Sequence, residues 1–224
     1  MSILSNLDLI RRVPLFSTLT QAQAELIAAA VTKQRFKRGE CIVEQQTKSD
    51  FLAIILTGRA RVVTTDARGR EVILATMRPG DYVGEMSLID NQPHSATVRA
   101  EIQTDVLILG RQEFARCLPE NTSMAYAVMR GLVQRLRQAD RKIESLALMD
   151  VYGRVARALL EYALPDSNGQ RLIKGRISRQ DLAKMIGASR EMVSRVMKDL
   201  EEQGFIETLA DGSILLKESL NTYG

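Results

Sequence analysis

Ser189-Arg190-Glu191-Met192-Val193-Ser194-Arg195 sets two arginines, a glutamate and two hydroxyls within seven residues. Arginine offers a fork of donors that pairs with guanine in the major groove, and glutamate accepts from the cytosine amino group. Such side chains read bases only when they project from one edge of a rigid rod. The surrounding residues supply that rod. Leu182, Ala183 and Ile186 recur at helical spacing, Gly187 suits a left-handed stop, and Ser189 can cap a second helix. Val193, Val196, Met197 and Leu200 then form one apolar stripe. The pattern predicts a helix, a tight turn and a second helix, the second entering a DNA groove by its N-terminal residues. A mixed-charge surface helix is the bland alternative. The turn glycine, the cap and the arginine spacing occur together, which favours the groove.

Charge agrees with that reading locally rather than globally. The net charge is only +4. Between Arg171 and Glu201, however, Arg171, Lys174, Arg176, Arg179, Lys184, Arg190, Arg195 and Lys198 face only Asp181, Glu191, Asp199 and Glu201. That excess suits salt-dependent phosphate contact. The sole histidine, His94, and two distant cysteines, Cys41 and Cys117, speak against a metal cluster, a disulfide framework or an iron–sulfur centre. A metal-dependent barrel enzyme needs several converging histidines or carboxylates, so the chain is expected not to be an enzyme. No apolar run approaches a membrane span and no leader pattern opens the chain, so a reducing cytoplasm is the expected setting.

The elements that must position these residues fall into three blocks. Leu4 to Val31 reads as helical with a break at Val13-Pro14, and Leu19, Ala22, Leu26 and Ala29 are expected to face inward. Short branched runs come next at Cys41 to Glu44, Phe51 to Leu56, Ala60 to Thr65, Glu71 to Met77, Ala96 to Ala100 and Asp105 to Leu109. Turn signals such as Thr57-Gly58 and Pro79-Gly80-Asp81 separate them, which predicts an antiparallel sandwich or barrel. Thr122 to about Leu148 is one long helix. Its seam of Ala125, Met129, Leu132, Leu136, Ala139, Ile143 and Leu146 has heptad spacing and suits a parallel dimer. Beyond Met149-Asp150-Val151 come a helix over Tyr152 to Ala163, a loop over residues 164–169 and the helix pair. A hairpin of Phe205 to Thr208 with Ile214 to Leu216 makes that pair a winged one.

Two motifs, one in each half, carry a resemblance. The first is Ser189 to Arg195. The second is Gly84-Glu85-Met86-Ser87-Leu88-Ile89, continued through Pro93-His94-Ser95-Ala96-Thr97-Val98. With the order of elements, they make the chain resemble the superfamily shared by the cyclic-AMP receptor protein and the fumarate and nitrate reduction regulators. The resemblance covers nearly the whole chain. It implies an α+β fold: an N-terminal antiparallel β-roll of the cyclic-nucleotide-binding type over residues 1–120, a dimerisation helix over 121–148 and a winged helix-turn-helix over 149–224.

The resemblance further implies an effector site of Gly84, Glu85, Met86, His94, Ser95, Ala96, Arg135 and Asp140. Within it Glu85 takes a ribose hydroxyl, Ser95 a phosphate, and Arg135 braces the acid. DNA contacts fall to Arg179, Ser189, Arg190, Glu191, Ser194 and Arg195, reading an inverted TGTGA-like repeat. The partners implied are double-stranded DNA, a second copy of the chain and RNA polymerase, with no membrane. Two positions depart from the cyclic-AMP pattern. His94 stands where an arginine neutralises the phosphate, and the loss of one such charge-assisted bond would cost about 1.5–3 kcal/mol. Ala139 and Asp140 stand where hydroxyls meet the base. Asp140 is either an acceptor for a purine or a solvated charge beside the seam. Cyclic AMP, cyclic di-GMP or another nucleotide stay open as effectors, as do a different ligand and an effector-independent regulator of the same fold.

Overall fold

Phe51-Leu52-Ala53-Ile54-Ile55-Leu56 contains no polar side chain, which in a strand implies burial on both faces. The computed structural model describes residues 5–220 except 12, 18, 121, 167, 168, 176, 218 and 219. Leu4 and Thr18 of the expected opening helices, Ser167 and Asn168 of the loop, and Arg176 lie outside the described residues, as does the side chain of Cys117. Two compact units, Met1–Leu136 and Arg137–Gly224, make up the chain.

In the first unit, strands β1 (Thr32–Phe36), β8 (Thr104–Gly110), β3 (Phe51–Thr57) and β6 (Tyr82–Val83) lie in that order in one sheet. Strands β2 (Cys41–Val43), β7 (Thr97–Ala100), β4 (Ala60–Thr65) and β5 (Glu71–Met77) form the other. All pairs are antiparallel. Alternation along β3 explains its apolar run. Ala53 and Ile55 join Ile42, Ala60, Met77 and Val98 in the core between the sheets. Leu52 and Ile54 join the opposite cluster, with Ile10, Phe16, Ile27, Phe114, Met124 and Val128 from the helices. Those helices are α1 (Asn6–Arg11), a 3₁₀ turn (Pro14–Phe16), α2 (Gln21–Ala30), α4 (Arg111–Glu120) and the start of α5 (Thr122–Leu148). A further short helix, α3 (Glu85–Asp90), comes after β6.

Three expectations need correction. The inward face of α2 is Ala24 and Ile27, whereas Leu26 is 68% exposed. Alanines on both sides of α2 make two helical registers equally apolar, and the pattern could not separate them. Strands β1 and β6 and helix α4 carried no alternating signal and were not expected. β1 is a polar edge strand whose Lys33 and Arg35 pair with Asp105 of β8. On α5 the expected seam merges two stripes. Leu132 packs with Met124 and Val128 on the unit's own core, while Met129, Leu136, Ile143 and Leu146 of the seam stand exposed, with Val133 beside them.

The second unit builds its core from α6 (Val151–Tyr162), α7 (Arg179–Ile186), α8 (Arg190–Glu202) and a sheet of order β11, β12, β10, β9. Strands β11 (Ile206–Thr208) and β12 (Ile214–Leu216) are the expected hairpin. β10 (Arg171–Ile173) and β9 (Leu164–Pro165) extend it beyond what the pattern predicted. No helix among the described residues is long and apolar enough to cross a membrane.

Candidate functional site

Gly84 turns the chain from β6 into α3 with φ of 102°, a left-handed value that side chains rarely take. A Cβ there would also meet the Phe51 carbonyl oxygen at 2.5 Å, so backbone proximity and backbone conformation both demand glycine. Glu85 is the first residue of α3 and is 1% exposed. Arg135 of α5 donates to one oxygen of its carboxylate and, with its other nitrogen, to the Tyr82 carbonyl. The second carboxylate oxygen, Oε2, is buried and has no hydrogen-bond partner among the described residues. Burial raises the Glu85 carboxyl above its ordinary value, and Arg135 and the residue's own backbone pull it part of the way back. An orphaned buried acceptor costs stability unless something donates to it. The oxygen is therefore a place for a hydroxyl or amino donor from a bound molecule.

His94 is held by the loop before β3. Its backbone N–H donates to the Thr47 carbonyl at 2.8 Å and its carbonyl accepts from Gln46 N–H at 2.9 Å. Its ring Nε2 meets the Ser49 hydroxyl at 2.8 Å, and the residue is 8% exposed. Burial pushes the imidazole below its ordinary pKa, so at neutral pH it carries no charge. The group standing where a fixed cation was expected is thus neutral and already engaged with the loop before β3. Ser95 next to it is exposed, Ala96 is buried, and Met86 of α3 is exposed.

Arg111 was missed in the sequence and braces the motif that runs from Gly84 to Val98. Its guanidinium donates to the carbonyls of Leu88 at 3.1 Å and Ser87 at 3.2 Å, and to Asp50 at 2.8 Å. It closes the C-terminal end of α3 and ties it to the loop that holds His94. Nothing local marked it, because its partners lie 23, 24 and 61 residues away. Asp140 is exposed on α5 and belongs to the second unit. Among the described residues no group of histidine, cysteine and acidic side chains is arranged to hold a metal ion.

The second half adheres closely to its pattern. Ser178 caps α7 through Asp181 N–H at 2.9 Å, and Gly187 ends it at φ of 66°. Ser189 caps α8 by accepting from Met192 N–H at 3.2 Å. Val193, Val196, Met197 and Leu200 are buried, and Arg190, Glu191, Ser194 and Arg195 stand exposed on the other side. Hydrogen bonds from its own backbone and from Ser189 hold the Glu191 carboxyl below its ordinary value, so it is a charged acceptor. Arg179 opens α7 half-buried, its pKa lowered by burial and partly restored by Glu201. Two further residues escaped sequence reasoning. Met192 is exposed beside the polar edge. Arg154 of α6 donates to the Ile186 carbonyl at 2.8 Å and fixes the turn between the two helices.

Residues 33–121 match the cyclic nucleotide-binding domain family, and residues 153–220 match the Crp-like helix-turn-helix domain family. The chain is 32% identical to the cAMP-activated global transcriptional regulator Vfr of Pseudomonas aeruginosa, over 78% of its own length and 84% of that protein. It is 31% identical to the cyclic AMP receptor protein of Thermus thermophilus, over 92% of its length and 93% of that relative. Among solved structures, that of the c-di-GMP responsive global regulator CLP of Xanthomonas campestris has a TM-score of 0.75 at 24% identity, covering 88% of this chain and 99% of the other. That last likeness bears on the fold.

Proposed function

The chain belongs to the CRP/FNR family of transcription regulators, and from that premise we propose that it is a homodimer whose sequence-specific DNA binding is set by a cyclic nucleotide. The single observation that carries the effector half is Glu85 Oε2, a buried carboxylate oxygen without a partner among the described residues, beside one that Arg135 already occupies. A ribose hydroxyl suits that oxygen as a donor. Gly84, Met86, His94, Ser95, Ala96 and Asp140 complete the proposed effector site. Residues 1–120 sense, residues 121–148 join two copies, and residues 149–224 read DNA. The exposed apolar row of Met129, Val133, Leu136 and Ile143 supports pairing of two α5 helices. Two-fold pairing would offer two α8 helices to half-sites about one helical turn apart.

Arg190, Glu191, Ser194 and Arg195 are the proposed base readers, on a TGTGA-like inverted repeat, with Arg179 and Ser189 on phosphates. Effector binding shifts the population toward the arrangement that fits both half-sites. RNA polymerase is the further protein partner, and the cytoplasm the compartment. Of the two effectors, cyclic AMP has the support of Vfr and the Thermus relative. The neutral, occupied ring of His94 offers a cyclic phosphate no fixed charge and so weighs against cyclic AMP, while cyclic di-GMP has the support of Asp140 as an acceptor for guanine. Fluorescence anisotropy with inverted TGTGA repeats, with cyclic AMP, cyclic di-GMP or neither, tests the proposal. Selective binding that one nucleotide alters is the expected result. Equal affinity for bulk DNA in all three conditions would sink it.

A further inference from the structure

Tyr82 belongs to a strand of two residues, and the ladder with β3 accounts for its backbone but not for its side chain. That side chain reaches α5. Its hydroxyl donates to the Val128 carbonyl at 3.5 Å, the long limit for such a bond. A Cβ built on Gly131 would collide with the phenol oxygen and lie 3.1 Å from Cζ. Glycine is the poorest residue for a helix interior after proline. Here the phenol fills the space that it leaves. One turn on, the Arg135 guanidinium lies over the same ring, 5.1 Å from its centroid, and also donates to the Tyr82 carbonyl. Gly131 and Arg135 are four residues apart and so share a face of α5.

The two ends of the Arg135–Glu85 pair are unequally held. The Arg135 side chain is 40% exposed and can exchange its partners for water, whereas Glu85 has no water to turn to. What keeps the pair together is therefore whatever keeps Arg135 from leaving. The Tyr82 ring and carbonyl do that. The face of the ring attracts the cation, and the carbonyl fixes one nitrogen while the other meets the carboxylate. The charged groups on Tyr82 are Arg135, Glu85 and Asp81. Arg135 is the one that bears on Glu85.

We propose that Tyr82 is a positioning residue of the effector site: seated in the slot that Gly131 opens in α5, it holds Arg135 to one oxygen of Glu85 and so leaves the other oxygen, charged and free, for an effector hydroxyl. The inference rests on the reading of Glu85 as the effector's acceptor. Without the ring, Arg135 turns to solvent, and the stranded carboxylate takes a proton and becomes a poorer acceptor.

The test uses the full chain with Tyr82→Phe, Tyr82→Leu, Gly131→Ala and the double variant Gly131→Ala with Tyr82→Phe. Carbon-13 NMR tracks the titration of Glu85 in protein free of nucleotide. Calorimetry measures the binding of cyclic AMP and, separately, of cyclic di-GMP. Tyr82→Leu and Gly131→Ala should raise the Glu85 midpoint by about one pH unit or more and weaken the bound nucleotide about tenfold. Tyr82→Phe keeps the ring and should stay near the parent. The double variant should recover most of what Gly131→Ala loses, because the oxygen that the new methyl strikes is gone. A Glu85 midpoint that stays put in both Tyr82→Leu and Gly131→Ala overturns the inference. If the midpoint moves but Glu85→Gln binds nucleotide as the parent does, or the parent binds neither probe, the acceptor reading falls, and Tyr82's effector role with it.

Discussion

Glu85 and Glu191 both stand in the first turn of a helix, and the molecule holds them in opposite ways. Glu191 is in water, kept charged by its own backbone and by the cap residue two positions earlier. Glu85 is buried, its charge opposed by desolvation and rescued by an arginine fifty residues away. The first arrangement is local and tolerates exposure because its partner is meant to come from outside. The second is assembled across the fold and is costly to disturb. Residue type is the same and both lie in a first turn, so the surroundings decide which glutamate reads and which one waits.

If that contrast is right, breaking the distant partner should cost more than breaking anything around Glu191. Arg135→Ala leaves a buried carboxylate alone, and should lower unfolding stability by about 3 kcal/mol, the low end for half of a buried pair, since Glu85 can protonate. Denaturant unfolding at pH 7 measures it, and a loss under about 1 kcal/mol would mean that the pair is no more than a surface contact. Glu191→Ala should leave stability unaltered. It should instead flatten base preference at one half-site position, roughly ten- to a hundredfold, as expected for a lost base contact. Binding to a set of half-site variants separates this from a uniform loss, which would assign Glu191 to the backbone.

The same contrast explains what the sequence could tell. The helix pair was legible to the residue: the caps Ser178 and Ser189 aside, Gly187, the buried stripe and the exposed edge all interact within a turn or two, where period and residue type suffice. Of the caps, Ser189 was expected and Ser178 was not. The strands β3, β4, β5, β7 and β8 were legible within two residues, because branched runs between turns mark them. The effector motif from Gly84 to Val98 was legible only through its resemblance. Glu85 with Arg135 came from that resemblance, but Ser49 on His94, Arg111 on the end of α3, and Tyr82 in the gap at Gly131 join segments 23 to 61 residues apart. No local periodicity encodes such pairs. The two stripes of α5 show the same limit in milder form, since apolar residues for the unit's own core and for solvent lie side by side on one helix.

Smaller effects sharpen the comparison. Ser189→Ala removes the α8 cap and should cost about 1 kcal/mol of stability. It should also let the Glu191 carboxyl titrate at higher pH, since the hydroxyl that holds it down is lost. A stability loss with no change in Glu191 titration by NMR would confine Ser189 to capping.

The least effect, and the most specific, belongs to His94. Burial depresses its folded pKa below the ordinary value of about 6.5, so the unfolded chain binds the proton more readily. Its contribution to stability is therefore present above about pH 6.5 and is lost as pH falls through the folded value. Glu85, raised by burial, works in the opposite sense, and its contribution fades as pH climbs through its own folded value. A difference curve against a variant without the imidazole isolates the His94 part. His94→Gln keeps a neutral group able to meet Ser49 and removes the titration. Between pH 7 and pH 5 the parent should lose more stability than His94→Gln, by under about 1 kcal/mol. Parallel curves for the two proteins would mean that burial does not hold the imidazole below its ordinary value.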